Sequence, residues 1–376
     1  MISIKCIASI ESIEVIMLDK KSSSNRIYIK PSWLFHDERG ENVDPRIFTL
    51  LNAVRDLGKL THASNQLGMS YRHIWNILKK CSEFFGSDLV ELHKGKGASL
   101  TPLGEKLLWA EQLAKARFEP HLSSIASELN LEIQKHLMIQ EPLLKIAATY
   151  GYAVALLPEY ANNFKIDLQY KTNEESFRAL SKQECDIAAF HLPTDVVNQE
   201  LIDNYNKYFK ANTYKVIRFV TREQGLIVKK DNPKKITKIE DLVNKGVKFI
   251  NRQKNSGTRL LIDELLNRAS VDSSKVNGFD NIEFTHSAIA AYVSSGMADV
   301  GIGIETAARQ FGLNFTSLTT EHYVLVCHHK TVTKLAVQQL ISEIKTEKFH
   351  QAISALPGYK PLYCGDIVDL EDMLPW

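Results

Sequence analysis

The sequence predicts an α/β chain in three parts: a small, mainly α winged helix-turn-helix module, a linker helix, and a two-lobed α/β domain. Three observations predict it. Residues 46–85 hold helical patterns broken by a glycine, and a basic, glycine-containing tip follows at 94–97. From residue 143 onward, short apolar strands alternate with amphipathic helices. The expected boundaries are 26–100 for the winged module, 101–138 for the linker and dimerisation helix, and 139–376 for the two-lobed domain. Residues 1–25 read as a leader, within which Met17 offers an alternative start.

RIYIKPSWL over Arg26–Leu34 reads as a short strand. In PRIFTLLNAVRDLG, Ile47, Leu50, Leu51, Val54 and Leu57 recur at helical spacing, Pro45 suits a first helical position, and Gly58 is a stop. In the next segment Ala63, Leu67, Ile74, Ile77, Leu78 and Phe85 point inward. Gly68 breaks that segment, and Ser70 is the expected N-cap of its second helix. DLVELHKGKGASLT reads as two short strands around Lys94-Gly95-Lys96-Gly97, a wing. The apolar spacing from Thr101 onward predicts the linker helix, kinked or divided at Pro120.

The later strands are expected at LLKIAATY, KIDLQYK, CDIAAFHL, YKVIRFVTREQGLIVKK, VKFINRQ, IEFTH, ADVGIGI and NFTSLTTEHYVLVCHH, with helices between them. The alternation argues for parallel sheets with crossover helices. The stretch is long enough for two lobes.

Composition narrows the function classes. The 376 residues are 44% hydrophobic and 24% charged, the balance of a soluble globular protein. A net charge of +2 excludes a polycation, so nucleic-acid binding must rest on local charge. Cys6, Cys81, Cys185, Cys327 and Cys364 are odd in number and form no C-x-x-C pair, which argues for a reducing cytosol. No apolar run reaches the roughly 18 residues of a membrane span. Glu11 and Glu14 interrupt the apolar opening, which is not read as a signal peptide. The expected location is cytoplasmic, with no membrane partner.

A helix enters the major groove only with hydrogen-bonding groups on its exposed face. Ser70, Tyr71, Arg72, His73 and Asn76 supply them near the helix start, Lys79 and Lys80 are placed for the backbone, and Lys94 and Lys96 extend the wing. Residues 44–100 carry eight positive and five negative side chains, a net of +3, with the positive ones gathered on the second helix and the wing. Double-stranded DNA is the expected partner, and binding should be salt-dependent.

Three strand-to-helix junctions suit a small anion, because a helix N-terminus presents free N–H groups and a positive dipole end. They are Thr149-Tyr150-Gly151-Tyr152, the run Arg252 to Arg259 with Ser256, Gly257 and Thr258, and Thr285-His286. His191 ends another strand toward the same cleft. Each residue taken alone reads as a cap or a satisfied core group. Together they form the candidate ligand set.

Residues 26–110 resemble the N-terminal domain of molybdate-responsive ModE-type regulators, close to the LysR-type winged helix. The likeness rests on Asp56-Leu57-Gly58-Lys59-Leu60, the block Ala63 to Trp75, Lys94 to Ala98, and Leu100-Thr101-Pro102-Leu103-Gly104. It implies a homodimer or tetramer on an inverted repeat. The tandem molybdate-binding barrels of that family are not found, so its oxyanion specificity does not transfer. Residues 143–350 resemble a periplasmic-binding-protein-like domain, found in bacterial regulators and fused to some molybdenum-cofactor biosynthesis proteins. They are also similar to type II molybdate and tungstate receptors. This likeness rests on Asn251-Arg252-Gln253, Ser256 to Leu261, Thr285-His286, Ser295 to Gly303 and Glu321-His322-Tyr323. It implies that Thr149, Ser256, Thr258 and Thr285 hold a tetrahedral oxyanion. Bulky Tyr150 and Tyr152 leave room for an organic acid or a pterin-like ligand instead.

The expected function is a transcription regulator sensing a small, anionic effector: molybdate, tungstate or an organic acid. No cofactor, metal site or catalytic set is predicted, since nothing orders a nucleophile with a base and H-E-x-x-H spacing is missing. The alternative is a cytosolic accessory protein of molybdenum-cofactor metabolism that binds a small molecule without regulating genes.

Overall fold

A computed structural model describes residues 26–30, 35–38, 40–93, 95–137, 141–193, 207–209, 212–254 and 256–373. They form two units, Ile27–Phe118 and, with Arg26, Glu119–Trp376. The leader over 1–25 and the wing residue Lys94 lie outside the described residues.

In the first unit, α1 (Arg46–Leu57) follows Pro45 and ends where Gly58 takes φ 65°. Only glycine adopts that conformation without strain. α2 (Leu60–Leu67) stops in the same way at Gly68, and α3 (Tyr71–Phe85) begins at Ser70. The Ser70 hydroxyl accepts from His73 N–H at 3.2 Å, satisfying one of the helix's orphan donors. Ile47, Leu50, Leu51, Val54, Ala63, Ile74, Ile77 and Leu78 meet in one core. Each large aliphatic side chain there stabilises by about 1.5–3 kcal/mol.

β1 (Val90–His93) and β2 (Gly97–Leu100) form the antiparallel wing, Val90 opposite Leu100. Ala98 N–H donates to Gly58 O at 2.7 Å, tying the wing to the α1–α2 turn. At Gly97, with φ 104°, a Cβ would run into that same carbonyl. The strand expected over 26–34 is not found where it is described: residues 26–30 form no strand, and nearby only His36 and Asn42 pair, as a bridge. A strand persists only with a ladder partner, whatever its composition.

α4 (Pro102–His136) runs unbroken through Pro120, correcting the expected division. Proline costs the helix one N–H and crowds the preceding turn. The Ser124 hydroxyl donates to the Pro120 carbonyl at 3.2 Å one turn on.

The second unit is built on a mixed sheet in the order β4-β3-β5-β10-β6-β9-β7-β8. β3 (Leu143–Ala148), β4 (Lys165–Tyr170) and β5 (Ile187–Pro193) are parallel and make the first lobe. β7 (Phe249–Arg252), β8 (Ile282–Glu283) and β9 (Val300–Ile304) are parallel and make the second. The expectation of purely parallel sheets fails between them. β6 (Tyr214–Val228) and β10 (Asn314–His328) are 15-residue antiparallel strands shared by both lobes. Each carries the chain across once, in opposite directions, so they cannot run parallel.

Between these strands lie α5 (Tyr152–Leu156), α6 (Asn173–Ser181), α7 (Gly257–Arg268), α8 (His286–Ser294) and α9 (Glu305–Gln310). α5 is shorter than expected, because Pro158 turns the chain into a 3-10 segment at Leu157–Tyr160. The C-terminal region, not read from the sequence, adds α10 (Leu335–Ile344) and α11 (Glu347–Ser354) to the first lobe's core. β11 (Tyr359–Lys360) and β12 (Ile367–Asp369) pair with β6. Among the described residues no helix is long and apolar enough to cross a membrane.

Candidate functional site

The candidate recognition face of the first unit follows from helix geometry. Residues four apart share a face, so Tyr71, Trp75 and Lys79 form one exposed row and Arg72, Asn76 and Lys80 the next. Ser70 is spent as the cap, and His73 is half-buried at the edge. Lys79 leans toward Glu83 at 3.8 Å, both exposed, a pair of little energetic weight. Lys96 is exposed at the wing tip. Trp75, 45% exposed, stands on the same face and was not among the residues expected there. Its spacing from Tyr71 was the available signal.

In the second unit the polar chemistry gathers on β6 and β10. Register sets Arg222 directly opposite Glu321. Arg222 is 1% exposed and Glu321 3%. The guanidinium Nε donates to Glu321 Oε1. Burial works against the charge of Arg222, and Glu321 with Tyr359 more than offsets it, raising its pKa. Gln224 Nε2 donates to the same carboxylate at 3.0 Å and to Thr258 Oγ1, in the first turn of α7, at 3.1 Å. Tyr323 OH donates to the Thr149 carbonyl at 2.7 Å, fixing the end of β3, and its ring packs edge-on to His191.

Two histidines complete the cluster. Arg222 Nη2 lies 3.4 Å from His286 Nε2. An arginine only donates, so Nε2 accepts and the ring proton sits on Nδ1. Gly303 makes room for this ring: a Cβ there would lie 3.1 Å from Nδ1. Burial first, then the arginine charges, hold His191 and His286 well below the usual histidine range. His191 Nδ1 stands 3.6 Å from Glu321, and with the ring neutral this is no ion pair. As pH falls below about 6.5 the unfolded chain takes up protons that the folded chain refuses. Stability is therefore expected to drop on acidification by about 1.4 kcal/mol per pH unit per histidine. Urea titrations from neutral to acid pH check this. An unchanged slope in His286→Gln would count against it.

Arg252, at the end of β7, is buried; burial first, then Arg222, brings its pKa down to about 10. Its Nε and Nη1 find no hydrogen-bond partner among the described residues, nor do Thr149 Oγ1 and Gln224 Oε1. The lobes meet around this cluster. Tyr152 OH reaches Ser287 Oγ and Gln310 Oε1 of the second lobe, both at 2.7 Å. A Cβ on Gly151 would lie 3.8 Å from Arg222 Nη1, and one on Gly257 3.6 Å from Asn173 of the first lobe.

The structure thus brings together Thr149, Gly151, Tyr152, His191, Arg252, Thr258 and His286. Other expected residues turn to local tasks. Ser256 and Thr285 accept from Arg259 N–H and Ala288 N–H as helix caps. The Arg259 guanidinium binds Asp263 at 2.9 Å and lies over Phe279. Tyr150 packs edge-on to Tyr170 with ring centroids 5.0 Å apart. Arg222, Gln224, Glu321 and Tyr323 enter from the long strands. Of these only Glu321 and Tyr323 stood in a motif, and none was chosen as a site residue. Among the described residues no histidine, cysteine and carboxylate cluster is placed to hold a metal.

A three-helix module with a wing, and two lobes sharing two crossing strands, define a helix-turn-helix joined to a binding-protein-type domain. Residues 154–345, half of the chain, match the PBP superfamily domain, and the chain belongs to that superfamily. Residues 46–105 match the bacterial regulatory helix-turn-helix protein of the lysR family, so the front module is LysR-type. The uncharacterised protein YvgK of Bacillus subtilis (strain 168) is 33% identical over 201 residues, 53% of this chain and 64% of that protein. This chain thus spans just under two thirds of that relative's length. The molybdenum-pterin-binding protein MopB of Rhodobacter capsulatus is 29% identical over 100 residues, 26% of this chain and 37% of its own. Among solved structures, a mutant OxyR of Corynebacterium glutamicum aligns at 13% identity and TM-score 0.44, covering 83% of this chain and 93% of that one.

Proposed function

We propose that this chain is a cytoplasmic, DNA-binding transcription regulator without catalytic activity, whose C-terminal domain binds a small anion between its lobes. The observation that carries the ligand reading is Arg252: a buried guanidinium whose Nε and Nη1 have no partner among the described residues. Leaving charged donors unsatisfied is costly, and an anion relieves that cost. The α7 N-terminus adds its N–H groups beside Thr258. Exposed Ile125 and Leu129 lie four apart on α4 and support a helix-paired homodimer or tetramer reading an inverted repeat. The ligand acts through its differential affinity for two arrangements of the chain.

The relative named for molybdenum-pterin binding makes molybdate and a pterin natural first ligands, beside tungstate, sulfate and formate. Calorimetry on the full chain tests the site. At least one of these anions should bind, and Arg252→Ala should weaken it by about 30-fold or more, the worth of two charge-assisted hydrogen bonds. Equal binding by Arg252→Ala would remove the site from this cluster. Mobility shifts with promoter fragments at low ionic strength test the DNA role. Indifference to every fragment, with and without the anion, would end it.

A further inference from the structure

The cluster holds more than cationic donors. The Glu321 carboxylate only accepts, so the NH2 end of Gln224 must face it. That settles the amide's orientation and leaves Oε1 as its other end. Gln224 is 0% exposed, and Oε1 has no hydrogen-bond partner among the described residues. In the same cluster, Arg252 Nε and Nη1 and Thr149 Oγ1 are unpartnered donors. The cluster therefore leaves an acceptor and several donors wanting.

Charge points the same way. Counted formally, Arg222 and Arg252 bring two positive charges, and the buried Glu283 and Glu321, both acting on Arg252, two negative ones. Both histidines are neutral there. A dianion would bring two uncompensated charges into a buried, formally neutral cluster, which is costly. It would also offer nothing to Gln224 Oε1. A singly charged anion bearing an O–H halves that uncompensated charge and meets the acceptor: its oxygens take the Arg252 and Thr149 donors, and its hydroxyl donates to Gln224.

We infer that the ligand is a monoanion with its own hydroxyl donor, a protonated oxyanion or a hydroxycarboxylate, and that Gln224 selects for that donor. This rests on the anion reading above and narrows it, turning the site away from fully deprotonated sulfate, tungstate and molybdate. Sites that hydrogen-bond a substrate hydroxyl reject analogues lacking it far more strongly than apolar pockets do.

Matched pairs test it by calorimetry on the full chain. Glycolate is set against acetate, and phosphate in mildly acidic buffer, where the singly charged form prevails, against sulfate and molybdate. Glycolate over acetate, or phosphate over sulfate and molybdate, should bind at least about tenfold tighter. The pair that shows this tells a hydroxycarboxylate site from a protonated-oxyanion site. Gln224→Met should abolish the preference within each pair. If that variant does not fold, the unaltered chain's pairs decide alone. Absence of the preference in both pairs, whether by equal affinity or by tighter binding of the anion without a hydroxyl, overturns the inference and leaves the anion site standing. Silence from every anion in both panels overturns the anion site itself.

Discussion

Replacing Arg222 by methionine is expected to lower the unfolding free energy by about 3–5 kcal/mol. The change leaves the Glu321 carboxylate, 3% exposed, facing a thioether. Among the described residues, only the Gln224 amide at 3.0 Å would remain of its hydrogen-bond donors. An ion pair in this setting adds little over an apolar pair of the same shape, but losing one partner strands the other charge. The double variant Arg222→Met with Glu321→Leu should therefore recover much of the loss. Urea denaturation of the single and double variants at neutral pH measures both terms in a double-mutant cycle. A single-variant loss below about 1 kcal/mol would mean that water reaches the carboxylate.

Removing the exposed cations of the first unit should cost DNA binding rather than stability. Arg72 stands in the exposed row with Asn76 and Lys80, in the first turn of the helix where base edges are read. Arg72→Ala is expected to weaken specific duplex binding by about 1–3 kcal/mol and to relax sequence preference. Lys96→Ala, at the wing, should weaken binding to all sequences alike and reduce the salt slope by about one ion. Fluorescence anisotropy over a salt series separates the two. Unchanged affinity and slope in both variants would mean that α3 and the wing do not face the duplex. Trp75→Ala belongs in the same series, since its exposed ring shares that face.

The first unit was legible almost residue by residue. Gly58 and Gly68 stop helices by conformations that glycine alone takes easily, and Ser70 caps by a hydrogen bond three residues away. These are neighbour-range effects. The order of strands and helices from 143 to 328 was legible for the same reason, since a strand's apolar run and a helix's periodicity are local patterns. The errors were those of context. Residues 26–30 have strand-like composition but no strand, and Pro120 does not divide α4.

The candidate cluster was only partly legible. Strand ends and hydroxyls suggested Thr149, Arg252 and Thr258, which the fold brings to it, and by the same logic Ser256 and Thr285, whose hydroxyls cap helices, and Arg259, which pairs with Asp263. A hydroxyl at a helix start serves the backbone or a ligand equally well in sequence. Arg222 and Gln224 were passed over because they sit inside a long β-rich run, YKVIRFVTREQGLIV, where a polar residue reads as outward-facing.

By itself the sequence determined the module order, the helix stops and caps, the wing, and the three strand-to-helix junctions. Each is decided by residues within a few positions of one another. The antiparallel crossing of β6 and β10, and with it the buried meeting of Arg222, Gln224 and Glu321, was decided only in three dimensions. Arg222 and Glu321 are 99 positions apart. Their pairing depends on a register chosen by the packing of both lobes, and a shift of one residue would turn every side chain of the strand to its other face.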